Sequence, residues 1–146
     1  MNIYLDASFL VALFVENHEY HKMVAGFFDI DKLENKVVYV SYLTIDETWY
    51  SLYVNSKASY QTFSSFSKHF FKILSDFIDS SNVSVIKSFK DYKILDKAFY
   101  GAVDFNLRPR DAFHYAYSSF LEADFYTLDS DFAKTDLTVH LLTSHI

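Results

Sequence analysis

The fold is decided at the start of the chain, where residues 2–15 read N-I-Y-L-D-A-S-F-L-V-A-L-F-V. Residues 2–6 are short and apolar and end in the carboxylate of Asp6, which predicts a first strand. Residues 7–15 show no alternation of apolar and polar side chains and therefore predict a buried helix. A strand that passes directly into a helix is typical of the opening of an α/β chain.

Strands and helices continue to alternate along the rest of the chain. Further strands are predicted at residues 36–41, 83–86, 124–128 and 137–142. Helices are predicted at residues 18–28, 43–54, 59–80, 89–103 and 111–121. This alternation predicts one α/β domain over residues 1–146, with a mainly parallel central sheet covered by helices on both faces. The carboxyl ends of parallel strands share one edge of the sheet, where α/β proteins usually build their sites.

Two of the predicted helices carry further signals. The helix over residues 43–54 is expected to begin at Thr44, because Glu47 follows at the spacing of a capping box. The helix over residues 59–80 has an apolar stripe that is more typical of a core face than of an RNA-stacking platform. The stripe consists of Phe63, Phe66, Phe70, Leu74 and Phe77. In the helix over residues 89–103, one side carries Tyr92, Leu95, Phe99 and Val103.

The composition excludes several classes of protein. Hydrophobic residues make up 51% and aromatic residues 20% of the 146 residues, which favours a packed core and argues against disorder. No apolar run approaches the ~18 residues of a membrane span, and no signal peptide is evident, so no membrane association is expected. The absence of cysteine excludes disulfides, thiolate zinc sites and cysteine catalysis, and it is compatible with the cytoplasm.

Four acidic residues fall at predicted strand ends and helix starts: Asp6, Glu47, Asp111 and Asp129. In a parallel sheet those places share one edge, so we expect the four carboxylates to converge. Converging carboxylates repel one another unless a cation lies among them, and hard oxygen ligands suit Mg²⁺ or Mn²⁺. Such ions can stabilise charge at a phosphodiester and activate a water molecule. Ser8 and Ser130 are candidates for holding that water or a phosphate oxygen.

Each acid also has a purely structural interpretation. Glu47 suits a capping box, Asp111 suits the positive end of a helix, and Asp129 suits a helix cap. Asp6 is harder to explain in this way, because a partly buried carboxylate after an apolar strand needs a partner. The metal hypothesis therefore depends on the set of acids and not on any single member.

Basic residues near the predicted site have similar alternatives. His114 lies one helical turn after Asp111 and is a candidate for contact with a phosphate or a carboxylate, although a packed histidine is commoner. Arg108 and Arg110 flank the predicted pocket, where they either steer phosphate or pair with nearby acids. His18 and His21 are three residues apart, but no third ligand joins them, which favours a solvated helix face.

Four blocks of sequence, taken in order, resemble the PIN domain family. Residues 3–8 read I-Y-L-D-A-S and residues 41–47 read S-Y-L-T-I-D-E. Residues 110–116 read R-D-A-F-H-Y-A and residues 127–132 read T-L-D-S-D-F. Each block is weak alone, but together the four are similar to the VapC-type ribonucleases of bacterial and archaeal toxin–antitoxin pairs.

The resemblance implies a three-layer α/β/α sandwich with an acidic pocket for Mg²⁺ or Mn²⁺, and endonucleolytic cleavage of RNA. It carries metal-site roles onto Asp6, Glu47, Asp111 and Asp129, with Asp131 as a further candidate. It also implies a small antitoxin partner that covers the groove, and a homodimer. The long aromatic helix over residues 59–80 departs from the shorter, basic segment of many relatives.

Two alternatives stay open at the level of sequence. One is a domain of the same fold with a spent site that binds RNA or a partner. The other is a phosphatase of the haloacid dehalogenase type, although its second Asp would fall at Ser8. The formal charge of −6, with 19 acids and 13 basic residues, is at first sight unfavourable for a nucleic-acid partner. Setting aside the four proposed ligands leaves 15 acids against 13 bases, a balance of −2, so an RNA partner is not excluded.

Overall fold

The structure is a computed structural model and describes residues 1–28, 34–56, 62–86 and 93–143. Its strands are β1 Asn2–Leu5, β2 Val37–Val40, β3 Val83–Val85, β4 Asp124–Thr127 and β5 Val139–Leu141. Its helices are α1 Ala7–Phe14, α2 His21–Phe27, α3 Tyr42–Ser56, α4 Phe63–Ser80, α5 Lys93–Phe105 and α6 Pro109–Phe120, with a short 3-10 helix at Ser130–Lys134. Residues 59–61 and 89–92 of two predicted helices lie outside the described residues.

The five strands form one parallel sheet in the order β3-β2-β1-β4-β5. β1 lies at the centre, where Tyr4 pairs with Tyr39 of β2 and with Phe125 of β4. The predicted α/β class and parallel sheet are therefore confirmed. Because β1 and β4 are neighbours, the residues that follow Leu5 and Thr127 lie at the same edge of the sheet.

Helices cover both faces of the sheet. Leu5 of β1 packs in one core with Phe9 of α1 and Phe77 of α4. Tyr4 packs on the opposite side, where its ring stacks with that of Tyr117 of α6 at 6.3 Å between centroids. Since successive side chains of a strand point to opposite faces, the same strand serves both cores. The predicted three-layer arrangement is confirmed.

The predicted capping residue of α3 is wrong by three positions. Ser41, not Thr44, caps this helix, because Ser41 Oγ accepts a hydrogen bond from the backbone N–H of Thr44 at 3.1 Å. The Thr44 hydroxyl instead donates to the carbonyl oxygen of Leu5 at 2.9 Å. Glu47 therefore lies beyond the first turn and takes no part in a capping box.

The aromatic stripe of α4 is mainly core, as predicted. Four of its members are buried, while Phe63 at its start is 47% exposed. The helix begins with a capping box between Thr62 and Ser65. None of the described helices, including α4 as the longest, is long and apolar enough to cross a membrane.

Helix α5 packs on α6 through small residues. Ala98 and Gly101 are buried there, and a methyl group added to Gly101 would lie 2.5 Å from a ring carbon of Tyr115. The absent side chain of Gly101 therefore permits the close approach of the two helices. The side of α5 that carries Phe99 and Val103 faces outward, with these residues 63% and 78% exposed.

Candidate active site

Asp6 is the first residue after β1 and caps the amino end of α1. Its Oδ1 atom accepts hydrogen bonds from the backbone N–H of Phe9 at 3.1 Å and from the Ser8 hydroxyl at 2.7 Å. Its Oδ2 atom accepts a hydrogen bond from the Thr127 hydroxyl. Burial raises the pKa of Asp6, while electrostatic interaction with His114 and these hydrogen bonds oppose the rise. Three donors thus hold the carboxylate in one orientation.

Two hydroxyl groups join the ends of β1 and β4 around Asp6. Ser8 Oγ accepts a hydrogen bond from the backbone N–H of Leu128 at 3.0 Å. Thr127 Oγ1 accepts one from the backbone N–H of Asp129 at 2.9 Å. The Ser8 hydroxyl therefore donates its hydrogen bond to Asp6 and helps to orient that carboxylate. Sequence reasoning did not single out Thr127, although a hydroxyl residue at the end of a buried strand was the available signal.

Asp111, Asp129 and Asp131 form a cluster that we call the acidic trio. One carboxylate oxygen from each lies within 4.8 Å of the other two. Asp111 lies in the first turn of α6, and Asp129 caps the 3-10 helix by accepting the backbone N–H of Asp131 at 2.9 Å. Burial and the neighbouring charge of Asp129 raise the pKa of Asp111, with smaller contributions from Glu47 and Asp131 and an opposing one from His114. A cation among these groups would relieve the repulsion.

Glu47 reaches the site from α3. Its Oε2 atom lies 3.3 Å from His114 Nε2, and its Oε1 atom is buried without a hydrogen-bond partner among the described residues. A buried oxygen of this kind costs free energy unless a ligand binds it. Among the described residues, Asp6 and Glu47 do not belong to the set of carboxylates whose oxygen atoms lie within 4.8 Å of one another. Glu47 is nevertheless close enough to Asp111 to raise the pKa of that residue.

A buried network of hydroxyl groups lies behind His114. The residue is 2% exposed, and its Nδ1 atom lies 2.7 Å from the Tyr4 hydroxyl. The Tyr4 hydroxyl also lies 2.8 Å from Ser41 Oγ and 3.3 Å from Thr44 Oγ1. Burial raises the pKa of Tyr4, so this group remains a protonated phenol. Both alternatives predicted for His114 are observed, because the residue is buried and hydrogen-bonded and also contacts the Glu47 carboxylate.

An open groove of about 490 Å³ lies beside the acids, and its lining includes Ser8, Glu47 and Arg110. Arg110 is exposed, and neither it nor Arg108 forms an ion pair with another described residue. Ser130 is exposed at the start of the 3-10 helix. The predicted pairing of the two arginines with nearby acids is therefore not observed in the described parts of the chain.

The histidines that the sequence placed on one helical face are arranged differently. His18 lies before α2, where its Nδ1 atom accepts a hydrogen bond from the backbone N–H of Tyr20 at 3.1 Å, and it lines the groove. His21 begins α2, and its Nδ1 atom lies 3.0 Å from the carbonyl oxygen of Ala12. Each imidazole thus has a contact of its own.

The family model of the PIN domain matches residues 3–137 of this sequence. The match covers most of the chain, so the chain belongs to the PIN domain family. All four sequence blocks that suggested the family lie within it. This assignment removes the reason for considering a haloacid dehalogenase.

Solved structures that share the fold include proteins named VapC and VapBC. VapC20 from Mycobacterium tuberculosis, a sarcin-ricin loop cleaving toxin, is 20% identical with a TM-score of 0.63, covering 92% of this chain and 95% of its own. PAE2754 from Pyrobaculum aerophilum is 24% identical with a TM-score of 0.61, covering 97% and 92%. VapBC-1 from nontypeable Haemophilus influenzae is 16% identical with a TM-score of 0.64, covering 99% and 100%. Among curated proteins, none matches this sequence significantly.

Proposed function

We propose that this protein is a Mg²⁺- or Mn²⁺-dependent endoribonuclease, formed as a single domain over residues 1–146. We further propose that it is the toxin of a type II toxin–antitoxin pair and works in the cytoplasm. The observation that carries the proposal is the acidic trio, whose oxygens lie within 4.8 Å of one another in a PIN-domain chain. The likeness to the RNA-cleaving toxin VapC20 supports the same substrate class.

The donor set of the site fits a hard divalent cation. Asp111, Asp129 and Asp131 supply carboxylate oxygens, and the pKa of Asp111 is raised in part by the other two, as expected of a site that favours a positive ion. The unpaired Oε1 atom of Glu47 is a further oxygen in need of a partner. We assign these four residues and Asp6 as the metal-binding set. A bound ion would stabilise negative charge on the phosphodiester and lower the pKa of a water molecule.

The chain's own residues supply orientation and access. Thr127 and Ser8 hold Asp6 by hydrogen bonds, so the carboxylate needs no rearrangement on binding. Arg110 is exposed at the groove without an ion-pair partner in the described residues, and we assign it to an RNA phosphate. The groove is open, so an extended RNA strand can lie across it.

Cleavage of RNA by the purified protein tests the proposal. Wild-type protein should cut RNA in the presence of Mg²⁺ or Mn²⁺ and stop when the ion is chelated. Asp6→Asn and Asp111→Asn should lose roughly a hundredfold or more of this activity, because even outer partners of metal ligands typically contribute 10–100-fold. If either variant cuts RNA at the wild-type rate, the site is wrongly assigned. Binding of RNA by the wild type without cleavage would favour the spent-site alternative.

We propose two protein partners for the toxin. VapBC-1 shares the fold, and by analogy with VapC-type toxin–antitoxin pairs we assign a small antitoxin that covers the groove. Co-expression with the neighbouring reading frame should relieve growth arrest if this is correct. The second partner is another copy of the chain. It would bind the α5 surface, an outward-facing apolar patch formed by Leu95, Phe99, Tyr100 and Val103.

A further inference from the structure

Five polar groups form a buried hydrogen-bond chain that ends on Glu47. From the far end these are the Leu5 carbonyl, Thr44, Ser41, Tyr4 and His114. Each link is between 2.7 and 3.3 Å, and Tyr4, Ser41, Thr44 and His114 are 2% exposed or less. Each hydroxyl has a single proton to give, so the direction of the links can be inferred from one end by assigning each proton to its nearest acceptor.

The direction is set at the buried end of the chain. The Thr44 hydroxyl donates to the Leu5 carbonyl oxygen at 2.9 Å and so has no proton left for Ser41 or Tyr4. Ser41 Oγ accepts the backbone N–H of Thr44 and has one proton to donate. Its nearest acceptor in the network is the Tyr4 oxygen, at 2.8 Å, compared with 3.2 Å to the Thr44 oxygen.

The phenol proton of Tyr4 has two acceptors within reach, His114 Nδ1 at 2.7 Å and Thr44 Oγ1 at 3.3 Å, and we place it on the nearer one. The contact with Nδ1 is the shortest link in the network. With Nδ1 as the acceptor, the imidazole carries its proton on Nε2, which lies 3.3 Å from Glu47 Oε2. In the opposite neutral tautomer, the bare Nε2 would face a carboxylate oxygen, and two acceptors would meet in a buried site.

We propose that Tyr4 is a positioning residue, which fixes the tautomer of His114 so that the imidazole donates to Glu47 and holds this carboxylate for the metal. The role of Glu47 as a ligand rests on the proposed function. With Oε2 engaged by His114, Oε1 is the oxygen without a partner among the described residues, and it is the one we assign to the ion. Partners of this kind orient ligands and are typically worth 10–100-fold in metal affinity.

Tyr4→Phe tests the proposal, because it removes one proton donor and keeps the aromatic packing against Phe125. The matched control is Tyr126→Phe, which removes a hydroxyl from a buried tyrosine on the opposite face of the sheet. The ¹⁵N chemical shifts of His114, measured on the metal-free proteins, report the tautomer. In wild type and Tyr126→Phe, Nδ1 should show the shift of an acceptor nitrogen and Nε2 that of a protonated one, whereas Tyr4→Phe should show a mixture of tautomers.

Calorimetric titration of Mn²⁺ gives the second readout. Tyr4→Phe should bind Mn²⁺ about tenfold more weakly than wild type, and Tyr126→Phe should bind it equally well. His114→Gln should retain much of the affinity, since an amide can accept from Tyr4 and donate to Glu47, whereas His114→Leu should lose it. Cleavage by Tyr4→Phe should fall in kcat with little change in KM for RNA.

Three results would overturn the proposal: a doubly protonated or Nδ1-protonated ring in the wild type, a tautomer that is unchanged in Tyr4→Phe, or equal Mn²⁺ affinity of Tyr4→Phe and wild type. Failure of the proposed function looks different. In that case the wild type takes up no Mn²⁺ and cuts no RNA, although the ring still responds to Tyr4→Phe.

Discussion

Thr127 donates its hydroxyl proton to Asp6 across the junction of β4 and β1, although the two residues lie 121 positions apart. The same oxygen accepts the backbone N–H of Asp129 at 2.9 Å. One hydroxyl thus orients a carboxylate at the end of β1 and the backbone that leads into the acidic trio. Through this hydroxyl group, the residues that follow β1 and β4 are held together in one site.

Thr127→Val should destabilise the protein by about 1–3 kcal/mol, because valine keeps the shape but leaves Asp6 Oδ2 and the Asp129 N–H without the hydrogen bonds that Thr127 makes to them. The control is Thr48→Val. Thr48 is equally buried, but its hydroxyl only donates to the Thr44 carbonyl within α3, so its loss should cost less. Urea unfolding compares the two, and equal midpoints would show that the Thr127 hydroxyl does not hold the junction.

Asp111→Asn should stabilise the metal-free protein while it abolishes cleavage. Burial and neighbouring acids raise the pKa of Asp111 above the ordinary value of about 4, so the ionised form disfavours the fold at neutral pH. As the pH falls through this raised pKa, the folded state takes up a proton before the unfolded state does, and stability increases. The amide removes both the penalty and this part of the pH dependence.

Thermal unfolding of the metal-free proteins between neutral pH and about pH 4 measures the effect. Asp46→Asn is the control, because Asp46 is exposed and adjoins Glu47 in sequence without joining the acidic trio. Asp46→Asn should leave the curve unchanged. A melting temperature for Asp111→Asn at or below the wild-type value at neutral pH would contradict the repulsion that we infer.

Much of the fold follows from local patterns. The strand Asn2–Leu5, the helix Pro109–Phe120 and the alternation of elements are set by apolar periodicity and by backbone preferences, which depend on near neighbours. The parallel sheet then brings Asp6 and Asp129 to one edge, as predicted. These features need no knowledge of which side chains meet.

The features that the sequence did not predict depend on contacts between residues far apart in the chain. Thr44 has the spacing of a helix cap with Glu47, but the Leu5 carbonyl competes for its hydroxyl and Ser41 becomes the cap. In the sequence, Tyr4 looks like an ordinary strand residue, because its contact with His114, 110 positions later, is visible only in the structure. Pairings of this kind are fixed by sheet order and helix packing, which one sequence does not specify.

Gly101→Ala should destabilise the protein by about 1–3 kcal/mol, because its methyl group would overlap the Tyr115 ring and force α5 away from α6. Gly26→Ala is the matched control. Gly26 lies in α2, and among the described residues no packing neighbour lies within 4 Å of an added methyl group, so alanine there should stabilise by about 0.5 kcal/mol. Equal effects of both changes in urea unfolding would contradict the close packing of α5 on α6.

Phe99→Glu should convert the proposed dimer into a monomer, because it places a charge in the middle of the α5 surface. Phe71→Glu is the control, since Phe71 is similarly exposed but lies on α4. Light scattering after size-exclusion chromatography should find Phe71→Glu dimeric at concentrations where Phe99→Glu is monomeric. A dimer that survives Phe99→Glu would place the interface elsewhere.

Calorimetric titration of Mn²⁺ into the metal-free protein tests the metal site most directly. We predict specific uptake with a defined stoichiometry by the wild type and by Asp46→Asn, and none in the same concentration range by Asp111→Asn. Equal uptake by wild type and Asp111→Asn would contradict the assignment of the ligands. No specific uptake by the wild type would contradict the metal-dependent nuclease itself and leave a spent PIN domain.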